Sequence, residues 1–97
     1  MNRLMLQAQL VERGPLRHTP AGVPALDFGL FHESQASEDG QPRQVTLQIK
    51  SVAIGRITAA VSSLTLGASA VFAGFLAASR NGRGLLFHVT AVEPSVP

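Results

Sequence analysis

The chain has 97 residues, of which 45% are hydrophobic and 14% charged, with a formal net charge of +2 and no cysteine. That length allows one small core and not two, and the lack of thiols excludes disulfides, thiol catalysis and cysteine-based metal sites. No run approaches the about 20 apolar residues of a membrane-spanning helix and no apolar signal core opens the chain, so a cytoplasmic protein with no membrane partner is expected.

Residues 3–10 alternate, with Leu4, Leu6, Ala8 and Leu10 on one side and Arg3, Gln7 and Gln9 on the other, the pattern of a strand with one wet face. A second strand follows over 26–32, and the two form a long first hairpin. Its connection, residues 13–24, holds three prolines and two glycines together with Arg13, Arg17 and His18. Residues 33–42 are polar and are expected to form a mobile hairpin loop. The third strand, 44–50, places Val45, Leu47 and Ile49 inward and Gln44, Thr46, Gln48 and Lys50 outward, so Leu47→Asp is expected to be severely destabilising.

From Gly55 the period changes. Ile57, Ala60, Val61 and Leu64 share one side of a short helix, and Gly67 suits the turn after it. Residues 68–78 are apolar on both faces and predict a strand covered on both sides, with Gly74 marking a bend or bulge. Arg80-Asn-Gly-Arg-Gly84 reads as a hairpin turn with two cations at its tip. A fifth strand alternates Leu85, Phe87, Val89 and Ala91 with Leu86, His88, Thr90 and Val92, and ends at Pro94 and Pro97.

Five strands with one helix between the third and fourth describe an all-β OB-fold, a partly open five-stranded Greek-key barrel occupying residues 1–97 as a single domain. Seven of the eight cations are arginines, so the isoelectric point near 10.5 overstates a small excess of charge. Placement matters more than total. The cations gather in the first loop (Arg13, Arg17, His18), around the third strand (Arg43, Lys50) and in the late loop (Arg80, Arg83), where they suit a phosphate backbone. With the polar outer positions Thr46 and Gln48, these nine residues are the candidate nucleic-acid-binding set.

The runs Asn2-Arg-Leu-Met-Leu6, Arg13-Gly-Pro-Leu-Arg-His18, Ala21-Gly-Val-Pro24, His32-Glu-Ser34, Leu66-Gly67 and Gly74-Phe75 resemble the primosomal replication protein N family, small restart relatives of bacterial single-stranded DNA-binding protein. The resemblance spans nearly the whole chain. It implies a non-catalytic OB-fold homodimer that binds single-stranded DNA and docks onto the restart helicase PriA among other primosome proteins. It also matches Arg13, Arg17 and His18 to cationic first-loop positions, and Arg80 and Arg83 to a late hairpin where relatives place lysines. Two positions depart: Thr46 stands where relatives offer an aromatic stacker, and Glu33 puts an anion beside His32.

The aromatic supply is thin, with five Phe and no Trp or Tyr. By strand phase Phe28, Phe72 or Phe75, and Phe87 read as core, and Phe31 alone opposes its strand's core face. Binding led by phosphate charge is therefore expected over base stacking. His18, His32 and His88 and six scattered carboxylates form no HExxH, no close acid pair and no nucleophile elbow, so neither an enzyme nor a bound cofactor or metal is expected. Two alternatives stand beside DNA binding: an OB-fold protein-interaction module with little nucleic-acid affinity, and a general binder of single-stranded DNA or RNA. For the dimer seam, the first strand and the 70–78 segment are both candidates.

Overall fold

The computed structural model describes residues 1–95, so the expectation about Pro97 lies outside the described residues. The elements are β1 (Leu4–Arg13), β2 (Arg17–His18), β3 (Pro24–Glu38), β4 (Gln41–Ile54), α1 (Ile57–Ser62), β5 (Ser69–Ala78) and β6 (Leu85–Pro94). The sheet runs β1-β5-β6-β4-β3-β2 and closes through β1–β3 pairing, so five strands make the OB barrel and β2 is a two-residue addition on β3. Closure is thinnest between β4 and β6, a parallel contact of two pairs, Ser51 with Phe87 and Val52 with His88.

Inward residues at period two fill the barrel. Leu10, Leu26, Leu30, Phe72, Phe87 and Val89 are buried, and the Phe28 and Phe72 rings pack 6.2 Å apart. The helix covers one end with Val61 and Thr58, the latter donating its hydroxyl to the Gly55 carbonyl at 2.8 Å.

Two bulges change the phase that simple alternation predicts. In β1 the register slips between Leu10 and Glu12, so that Leu10 faces Leu30 while Arg13 faces Phe28 and turns to the barrel side. In β6 it slips opposite Ala73 and Gly74, where Gly74 pairs with Val89 and Ala73 with Ala91. The extra residue is Thr90, and beyond it Val92 rather than Ala91 packs on the core. Gly74 permits this closeness: a Cβ there would lie 1.8 Å from the His88 carbonyl oxygen.

Residues 33–42 are not a loop. β3 and β4 stay paired from Ala25 with Ile54 to Glu38 with Gln41, and the reversal is only Asp39-Gly40, both at positive φ (50° and 75°), as a two-residue I′-type hairpin requires. Past Phe31, β3 has lost β1, and β4 has not yet met β6, so a two-stranded ribbon projects from the barrel. Leu47 lies on this ribbon opposite His32 and is 37% exposed. A carboxylate at that position would meet water, and the severe loss expected for Leu47→Asp does not follow. Nor is β5 covered on both sides, because Phe75 is 40% exposed.

Candidate nucleic-acid interface

The outer face of the barrel, across β3, β4 and β6, carries two adjoining cavities. One, of about 500 Å³, is bordered by Glu12, Asp27, Gly29, Gln48, Lys50 and Leu86 among others. The second, of about 460 Å³, is bordered by Arg17, Asp27, Val52, Arg80, Leu86 and His88 among others. Asp27 and Leu86 belong to both, so the cavities form one groove with Lys50 in one half and Arg17 and Arg80 in the other. The cross-strand register builds this floor, with Lys50 opposite Gly29, Gln48 opposite Phe31 and Val52 opposite Asp27.

The nine sequence candidates divide. Arg17, Gln48, Lys50 and Arg80 reach the groove. Arg83 is exposed on the loop that carries Arg80, a loop tied to itself by the Gly82 N–H to the Ser79 carbonyl (2.9 Å) and the Arg83 N–H to Asn81 Oδ1 (2.9 Å). His18 is exposed on β2 without bordering either cavity. Thr46, opposite Glu33, and Arg43, paired with Glu38 at 3.1 Å, stand on the ribbon away from the groove.

Arg13 is elsewhere. Its Nη1 donates to the Val61 carbonyl at 3.2 Å, which also accepts from the Leu64 N–H at 3.2 Å, and to the Leu64 carbonyl at 2.5 Å, so it pins the end of α1 and the turn beyond it. The bulge at Val11 sends it there, because an unbroken alternation would put residue 13 on the wet face. Arg13→Ala is accordingly expected to lower stability by about 1.5 kcal/mol in urea denaturation, while oligonucleotide affinity changes less than about twofold.

Arg17 grips Asp27 with two prongs, Nε to Oδ2 at 3.0 Å and Nη2 to Oδ1 at 3.2 Å. That hydrogen bonding first, and the carboxylate's charge second, raise the guanidinium pKa above its ordinary value. Only two ion pairs occur among the described residues, and Lys50, Arg80 and Arg83 enter neither.

Two aromatic features were missed or misread in the sequence. Phe75 and His88 stack on the outer face with ring centres 4.8 Å apart and planes 9° from parallel, and His88 borders the groove. The signal was available: Phe72 and Phe75 are three apart in one strand, so a buried Phe72 sends Phe75 outward. His32 is half-buried, with Nδ1 2.6 Å from the Gln7 carbonyl and Nε2 2.7 Å from the Ser34 hydroxyl, tying β1 to β3 where their pairing ends. No group of three or more potential metal ligands occurs among the described residues, and no helix among them is long and apolar enough to cross a membrane.

A closed five-stranded barrel with a basic groove on the β3–β4 face, flanked by the first and last loops, defines an OB protein of the oligonucleotide-binding type. Residues 2–91 match the model described as "Another single-strand binding protein family". Replication restart protein PriB of Bordetella pertussis is 46% identical over 80 residues, covering 82% of this chain and 75% of that one. The solved structure of PriB from Ralstonia solanacearum superimposes with a TM-score of 0.88 at 37% identity over 97% of both chains. An SSB domain from Synechococcus shares the fold, with a TM-score of 0.73 at 23% identity over 96% of this chain and 94% of that one. The chain belongs to the single-strand-binding family and, within it, to the PriB replication restart proteins.

Proposed function

We propose that this chain is a non-catalytic, cytoplasmic single-stranded DNA-binding accessory of the replication-restart primosome, and that phosphate contacts lead its binding. The observation that carries this reading is the meeting of Arg17 of β2 and Arg80 of the β5–β6 loop, far apart in sequence, at one groove whose other half holds Lys50. A flexible phosphodiester strand follows such a line of cations without reading its bases, and the Phe75–His88 pair offers a ring face to one of them. Its kinship with the PriB replication restart proteins supports the setting in replication restart. In that setting the chain docks onto the restart helicase PriA and works as a homodimer. Leu4–Ala8 of β1 pair with β5 but not with β3, which leaves one strand edge for a second copy.

The test is anisotropy of labelled oligothymidylate across a salt series. Lys50, Arg80 and Arg83, at about 0.7 for each neutralised phosphate, predict a log–log slope of about −2. Salt-independent affinity, or none near physiological salt, would favour the protein-interaction module. That second reading draws on the fact that Arg13, Arg17 and Arg43 already spend charge on internal partners. A matched RNA oligomer in competition separates DNA preference from general single-strand binding.

A further inference from the structure

We propose that Asp27 is a built-in competitor for the DNA backbone: in the free protein its carboxylate occupies Arg17, and a bound phosphate takes its place. The inference rests on the groove being the single-stranded DNA site.

Three observations carry it. The Asp27 contact is two-pronged, through Nε and Nη2, which is the fork that a guanidinium offers equally to a carboxylate or a phosphate. Asp27 borders both cavities, so its negative charge sits where a strand crossing from Lys50 to Arg80 must pass. The pair is also open to water, with side-chain exposures of 41% for Arg17 and 58% for Asp27, so it exchanges partners readily.

The competitor cannot drift away. Its backbone is held by pairing with Val52 and by the Gly14 N–H donating to the Asp27 carbonyl at 2.9 Å. A phosphate arriving at Arg17 must displace an anion whose local concentration is fixed by the fold. Arg17 therefore adds little to weak, loosely seated encounters and contributes when a strand already bound at Lys50 and Arg80 presents a phosphate to it.

The experiment compares oligothymidylate binding, by anisotropy across salt, for the native chain, Asp27→Asn, Asp27→Asn with Arg17→Gln, and Glu93→Gln. The last makes the same charge change on an exposed β6 residue that borders neither cavity. Asp27→Asn is expected to bind about 2- to 5-fold tighter, with a slope steeper by about 0.7, and the gain is expected to vanish with Arg17→Gln. Glu93→Gln is expected to change affinity less than about 2-fold. If the native chain binds but Asp27→Asn binds no tighter than Glu93→Gln, binds more weakly, or keeps its gain without Arg17, the competitor role is overturned while the groove stands. If neither the native chain nor any variant binds, the groove reading falls and this inference falls with it.

Discussion

Gly74→Ala is expected to lower the melting temperature by about 15 °C, read by circular dichroism at 218 nm or a comparable β-sheet wavelength. A Cβ at this position would stand 1.8 Å from the His88 carbonyl oxygen, 2.8 Å from its carbon and 3.0 Å from Val89 Cα. All three are backbone atoms, so no side chain can swing aside. The clash resolves only by prising β5 from β6 at the bulge, next to the buried Phe72, Phe87 and Val89. Overpacking against backbone costs about 3 kcal/mol, and each kilocalorie shifts the midpoint of a domain this size by roughly 4–8 °C. An unchanged midpoint would show that the bulge opens freely and that the glycine is dispensable.

Neutralising Lys50, Arg80 and Arg83 together as glutamines is the second large effect expected. None of the three has an ion-pair partner among the described residues, so their removal takes away charge without stranding an anion. Each phosphate contact accounts for about 0.7 in the salt exponent, so at roughly 0.1 M salt the three together are worth about 100-fold in affinity, and the slope should fall close to zero. The melting temperature should hardly move. Retention of native affinity and salt dependence would place the DNA on another face.

The barrel was largely legible because its strands obey alternation where they face the core. Leu4 to Leu10, the short helix around Val61, the turn at Gly67 and the kink at Gly74 all follow from the spacing of apolar residues and the position of glycines. The ribbon was not legible, because a two-stranded segment wet on both faces has no apolar period, and Glu33–Pro42 looks the same in composition whether paired or free. The bulges hid for a related reason. An extra residue leaves no mark of its own in a strand pattern, so Arg13 was read as a loop cation instead of the end of β1, and Ala91 was put in phase with Phe87 and Val89 where Val92 takes that place.

The groove was half legible. Loop cations were readable as a class, but which of them are free depends on partners brought in by the fold, such as Asp27 for Arg17 and the end of α1 for Arg13. Phe75 was misplaced by treating a strand rich in small apolar residues as covered on both sides. Alanine and glycine there serve the close approach of β5 and β6 at the bulge, not burial on two faces.

The projecting ribbon also bears on colloidal behaviour. Half of its amides point sideways, unbonded, along two margins, which is the template on which neighbouring molecules zip into fibrils. Pro42 withdraws one donor from the margin of β4, while Glu33, Glu38 and Arg43 dot the ribbon with hydrated charge. The same polar composition that disguised these residues as a loop thus acts as a gatekeeper, setting hydrated charge and a missing donor against the edge-to-edge pairing of a naked pair of strands.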